Sequence, residues 1–195
     1  ASSAASDVYK RQGDSITAAG KWQKKLEELL GMNVATHAKG GIGILRMTDG
    51  DNGLDGTYNA ETDKNGVLRP LMAADVEGVS LIIVLPAYNE RATVLGSVGD
   101  CYPEKETICG RIQYLLNRIY EELEDAGNLL CHVLVATPHC AGKYPYVDAD
   151  GYEEYPTGTG QTMEKLSDTI KAVAQANNVA VCDLWHESGI NRRTW

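Results

Sequence analysis

The chain has 195 residues, a length that one domain accounts for and that can bury a sizeable single core. Hydrophobic residues at 43% and charged residues at 23% match ordinary soluble domains, which excludes a disordered chain, a collagen and a disulfide-stapled miniprotein. A formal net charge of −9 supplies no basic field for nucleic acid or an anionic membrane surface, so polyanionic partners are disfavoured.

Residues 1–12, ASSAASDVYKRQ, are small and polar, lack any apolar period and run directly into GDSIT at 13–17. They read as a non-native leader that resembles a translated cloning adapter, and the domain proper is taken as 13–195. Trp22, Leu26, Leu29 and Leu30 then recur at helical spacing before Gly31, which predicts a helix over about 18–30 with a C-cap glycine. A short strand at 33–37 enters the glycine cluster Gly40, Gly41 and Gly43, and the Asp-, Asn- and Gly-rich stretch 48–66 reads as a long polar loop. The run SLIIVL at 80–85 is continuous, β-branched and bounded by glycine and proline, as the central strand of a sheet covered on both faces should be.

Ile112, Leu115, Leu116, Ile119, Tyr120 and Leu123 keep the 3.6-residue period up to Gly127, which predicts a long helix over about 106–126. A strand follows at 131–136, then a second polar loop at 141–160 containing Tyr144, Tyr146, Tyr152 and Tyr155. Met163, Leu166, Ile170 and Val173 mark one face of a further helix, and the last strand is placed at 179–184. Strands alternating with helices, and apolar runs without period-two alternation, point to a three-layer α/β/α domain with a mainly parallel sheet. No run of about 18 apolar residues stands in the chain for a membrane span. Cys101, Cys109, Cys131, Cys140 and Cys182 are odd in number and form no CxxC pair, so they read as free thiols and not as a zinc site or disulfide framework.

In parallel sheets ligands bind beyond the carboxyl ends of the strands. The segments there are GDSIT, AKGGIG, PAYNE, TPHC and DLWHE. A serine heading a helix has its hydroxyl near the positive helix N-terminus, where developing negative charge is stabilised. Ser15 is so placed in the sequence. Taken alone it would read as a helix cap, and the alternative for Asn89 is a loop asparagine bonded to its own backbone.

GDSIT, followed by a glycine cluster and by AYNE after a buried strand, resembles the GDSL or SGNH hydrolase family, and the likeness runs from Gly13 to the end of the chain. The resemblance implies a flavodoxin-like fold, a serine esterase acting on an O-acyl ester, and no metal or organic cofactor. It implies Ser15 as the nucleophile, with Gly40 and Asn89 completing the oxyanion hole beside the Ser15 N–H. Three departures stand in these blocks: Ala38 where the family has Asn, Ala87 where it has Gly, and Glu90 where it has Asp.

The family also carries an Asp and a His three residues apart, usually followed by Pro. Asp183 and His186 have that spacing, but they stand at a strand end in VAVCDLWHESGIN with no proline after His186. They are therefore the weaker candidates for acid and base. The segment reads as an earlier strand end, with the acid/base block expected beyond Trp195 and the first strand of the fold expected to be missing, DVYKRQ being too polar for a buried strand. The chain would then be a fragment truncated at both ends and inactive as it stands.

The substrate expected is a small-molecule or glycan ester, the polar tyrosine-containing loops suiting a sugar better than a fatty chain. The alternative is a non-catalytic carbohydrate-binding or tail-associated module that keeps the fold. Two other motifs fail on inspection. Around Asp51, Asp55 and Gly56 the EF-hand pattern breaks at Gly53 and Thr62, and GTGQT at 158–162 lacks the lysine of a P-loop. His37, His132 and His139 stand at no metal spacing. Compartment and oligomeric state have no signature in the sequence.

Overall fold

Aliphatic and β-branched runs set between amphipathic segments fold as alternating strands and helices in the computed structural model, which describes residues 8–13, 21–31, 33–38, 42–50, 70–86, 89–90, 93–100, 103–139 and 162–190. The strands are β1 (Val8–Gly13), β2 (Asn33–Ala38), β3 (Val79–Leu85), β4 (His132–Ala136) and β5 (Ala180–Cys182). The helices are α1 (Lys21–Leu30), α2 (Ile44–Asp49), α3 (Ala73–Val76), α4 (Ile108–Asp125), α5 (Met163–Ala176) and α6 (Leu184–Glu187). The five strands form one sheet in the order β2-β1-β3-β4-β5, and every neighbouring pair is parallel. The apolar run read as the central strand is indeed the middle one.

Alternate residues of a strand face opposite sides of its sheet. Ile82 and Val84 of β3, with Val133 and Val135 of β4, point into a core closed by Ile44, Val76, Ile112, Leu115, Ile119, Leu166, Ile170 and Val173 from α2 to α5. On the other side Ile83 and Leu85, with Leu134 and Ala136, face Trp22 and Leu26 of α1. The order 2-1-3-4-5 produces this division: the chain steps one way from β1 to β2 and the other way thereafter, and right-handed crossovers moving in opposite directions place their helices on opposite faces. The fold class is the three-layer α/β/α one.

Three expectations need correction. The first strand is not missing among the described residues, because Val8–Gly13 fills that position between β2 and β3. Ladder pairing satisfies backbone N–H and C=O groups whatever the side chains are, so the polarity of the segment did not reveal its pairing. The last strand is shorter than 179–184, since Asp183 leaves it to cap α6 and Leu184 is helical. The start of the predicted polar loop at 48 falls within α2, a helix the sequence reading did not separate from the loop. The remainder of that loop from 51, the tyrosines of the loop 141–160 and residues 18–20 of the first predicted helix lie outside the described residues.

Both predicted C-cap glycines have the left-handed conformation that favours glycine, Gly31 at φ 66° and Gly127 at φ 66°. Beyond Gly127, the Asn128 side chain donates to the carbonyls of Val76 (2.7 Å) and Val79 (2.8 Å), tying the end of α4 to the entry of β3. Among the described residues no helix is long and apolar enough to cross a membrane.

Candidate active site

The register of the sheet sets the geometry of its carboxyl edge. Gly13, the last residue of β1, lies beside Ala38, the last of β2, and beside Leu85, the last of β3. Three adjacent strands therefore end level with one another, and GDSIT, AKGGIG and PAYNE all leave from that one line. Ser15 and Gly40 themselves lie outside the described residues.

Asn89 is described, and its position is set by the glycine segment. Its Nδ2 donates to the Ile42 carbonyl at 2.8 Å. The next residue, Glu90, reaches the same segment from a buried position, 4% exposed. Its Oε1 accepts the Ile44 backbone N–H, while Oε2 accepts from the Thr93 hydroxyl at 3.0 Å and pairs with the Arg111 guanidinium. Arg111 is held in turn, donating to the Thr93 oxygen at 2.8 Å and from Nε to the Lys105 carbonyl at 2.7 Å. Gly43 stands between the two points of attachment at φ −97°, a conformation open to any residue. It is glycine for lack of room, because a Cβ there would lie 2.2 Å from Glu90 Oε1.

Asp183 and His186 are brought together, but at β5. Asp183 caps α6, accepting the His186 N–H at 3.2 Å, and both of its oxygens lie 3.0 Å from His186 Nδ1. The same carboxylate accepts from Lys171 Nζ at 2.6 Å and from the Thr137 hydroxyl at 3.3 Å. Burial works to raise the Asp183 carboxyl, but the Lys171 and His186 bonds outweigh it and hold its pKa at about 2. The hydrogen bond to Asp183 raises the His186 imidazole above its ordinary value, against a smaller opposing effect of burial. His186 Nε2 faces Glu164 (3.7 Å) and Asp168 (3.9 Å) on α5. β5 is separated from β1 by β3 and β4, which at strand spacing is about 14 Å.

A cavity of about 500 Å³ lies on the α1 side of the sheet, floored by Ile83, Leu85, Leu134, Ala136 and Cys182 and flanked by Trp22 and Leu26. His139, which follows β4, opens onto it, and burial pushes its imidazole below the ordinary value, toward the neutral form. Among the described residues no group of three or more His, Cys, Asp and Glu side chains could hold a metal ion.

The feature that sequence reasoning missed is the Glu90–Arg111 pair. Glu90 counted only as a departure from a family pattern, and its partners Ile44 and Arg111 are 46 and 21 residues away in the chain. The one local signal was an acidic residue five positions beyond the end of a buried strand.

No family model and no curated protein matches the chain. Solved structures do resemble it. A protein from Lactobacillus plantarum is 17% identical, with 95% of this chain and 80% of that one covered at a TM-score of 0.65. A possible lipase from Chitinophaga pinensis is 17% identical, with 92% and 68% covered at a TM-score of 0.63. A protein from Parabacteroides merdae described as a GDSL-like lipase is 13% identical, with 90% and 76% covered at a TM-score of 0.52. At these identities the likeness is one of fold: the chain has the α/β fold that these lipase-type structures share.

Proposed function

We propose that the chain is a serine ester hydrolase of the GDSL, or SGNH, type, cleaving an O-acyl ester through an acyl-enzyme on Ser15. The observation that carries this reading is the level ending of β1, β2 and β3 at Gly13, Ala38 and Leu85. It starts the three motif-bearing segments from one edge, with Asn89 already bonded to the glycine segment. A carboxamide nitrogen has two hydrogens. One of Asn89's is spent on Ile42, and the other is the donor for an oxyanion.

In the reaction a histidine takes the Ser15 proton as Oγ attacks the ester carbonyl. The Ser15 and Gly40 N–H groups and the Asn89 amide hold the resulting oxyanion. Collapse expels the alcohol, which recovers the proton, and water then attacks the acyl-serine and releases the acid. The pairing of His186 with Asp183 has the form of an acid/base couple. Its free nitrogen is nevertheless turned to α5, and its strand stands two strands removed from the neighbour of β1, so we assign it to holding α6 against α5. On this reading His186→Ala leaves the rate of aryl acetate turnover unchanged, because that ring holds α6 and is not the base that serves Ser15. For the alcohol we favour a carbohydrate, on the polar, tyrosine-containing sequence of 141–160.

The test is slow covalent modification by an aryl fluorophosphonate, mapped by peptide mass spectrometry. The adduct is expected on Ser15, absent in Ser15→Ala, and formed roughly 10²–10³-fold more slowly in Asn89→Ala, the usual cost of one oxyanion donor. Acetylated oligosaccharides should protect Ser15 better than long-chain acyl esters. An adduct that forms equally in Ser15→Ala, or none at Ser15, would overturn the reading and favour a non-catalytic module of the same fold.

A further inference from the structure

The buried carboxylate next to Asn89 has no part in the reaction as drawn, yet it ties together three separate segments. Glu90 reaches three separate places: the backbone N–H of Ile44, the hydroxyl of Thr93 and the guanidinium of Arg111 on α4. With Asn89 bonded to the Ile42 carbonyl, two consecutive residues of the segment after β3 grip residues on either side of Gly43. Neither contact alone would fix the segment, since a single hydrogen bond leaves rotation about itself. Two contacts flanking one residue do fix it, and the 2.2 Å space left for a Cβ at Gly43 shows how closely the two segments are pressed.

We infer that Glu90 is a positioning residue for the oxyanion site. Anchored by Arg111, its carboxylate holds the Ile42–Ile44 backbone against the segment that carries Asn89, so that the Ile42 carbonyl fixes the rotamer of the Asn89 amide and directs its second hydrogen to the carboxyl edge. The inference rests on the reading of Asn89 as an oxyanion donor. Glu90 itself touches no reacting atom. Because Ile44 starts α2 and the glycine segment precedes it, the same grip sets the height at which that segment leaves the edge. Displacement of such a donor by about 1 Å is enough to cost on the order of 10²-fold in rate.

Two measurements on Glu90→Gln, Glu90→Ala and Gly43→Ala test it. Glu90→Gln keeps an acceptor for the Ile44 N–H and guards against a variant that fails to fold, which thermal unfolding checks. The first measurement, independent of any reaction, is solvent exchange of the Asn89 side-chain amide by nitrogen-15 NMR. Exchange should quicken about tenfold in Glu90→Ala and Gly43→Ala, the consequence of losing one ordinary hydrogen bond. The second is fluorophosphonate modification of Ser15, where the maximal rate should fall on the order of 10²-fold with the half-saturating concentration unchanged.

Gly43→Ala should add little in the Glu90→Ala background, since the clash it creates is with the Glu90 carboxylate. Unchanged Asn89 exchange in a folded Glu90→Ala protein overturns the inference whatever the chemistry does. If wild-type Ser15 is not modified at all, the reading of the site has failed instead, and the exchange arm still decides whether Glu90 orders Asn89.

Discussion

Asp183 sits under opposing influences, burial at 4% side-chain exposure against the Lys171 ammonium and the His186 ring, and its pKa of about 2 shows which prevails. A carboxyl held below its ordinary 3.8 stabilises the fold above pH 4, and that contribution fades as the pH falls toward 2. His186 behaves in the opposite sense. Its raised pKa means that the pair stabilises fully below the ordinary imidazole value of 6.5 and is lost as the pH rises through the folded-state value. The difference in melting temperature between wild type and His186→Ala should therefore be largest near pH 5–6 and small by pH 9, as unfolding followed by circular dichroism across pH will show. A difference that grows with pH would contradict the pairing. These two residues were legible as a spaced pair, but what they bond was not: Lys171 and Thr137 come from other elements, and only packing brings them to Asp183. Glu90 is the same case, with every one of its side-chain partners outside the AYNE motif.

Helix ends were the most legible elements because capping is local chemistry. Thr162 accepts the Lys165 N–H at 3.1 Å at the start of α5, and Thr162→Ala should cost about 1 kcal/mol, a fall of about 2–4 °C in Tm for a domain of this size. The start of α4 is more elaborate. Thr107 accepts from the Gly110 N–H at 3.1 Å and bonds to Glu104, whose side chain lies over Gly110 where a Cβ would come 2.0 Å from Oε1. Ordinarily Gly→Ala inside a helix gains about 1 kcal/mol. Here Gly110→Ala should instead lower the urea midpoint, because the new methyl displaces the Glu104 carboxylate from its bonds to the Thr107 and Glu106 N–H groups. A stabilised Gly110→Ala would show that this cap does not hold in solution. What composition could not convey was β1, whose polar sequence does not show its backbone pairing, and α2, whose ILRMTD turns polar within two turns and merges with the loop after it.

At the scale of the molecule, the sheet has one deeply packed face and one that floors the cavity between α1 and the segment Leu184, Ser188 and Ile190. Ile82 and Ile83 are neighbours in β3 that point to opposite faces, Ile82 2% exposed in the main core and Ile83 on the floor of the cavity beside Trp22. Ile82→Ala should cost about 2–5 kcal/mol in urea unfolding, the range for a fully packed aliphatic side chain, and Ile83→Ala less than half as much. The parallel sheet was legible because buried parallel strands are continuous apolar runs. The level ending of β1, β2 and β3 was not, since register is settled by pairing between segments far apart in the sequence. The proposed function has that level ending join the three motif segments into one site. It is tested most directly by the crystal structure of the fluorophosphonate adduct. The account predicts phosphorus bonded to Ser15 Oγ and a phosphoryl oxygen about 2.7–3.1 Å from both the Asn89 Nδ2 and the Gly40 nitrogen. A phosphoryl oxygen directed elsewhere, with the Asn89 amide more than roughly 10 Å away and beyond any hydrogen bond, would contradict it.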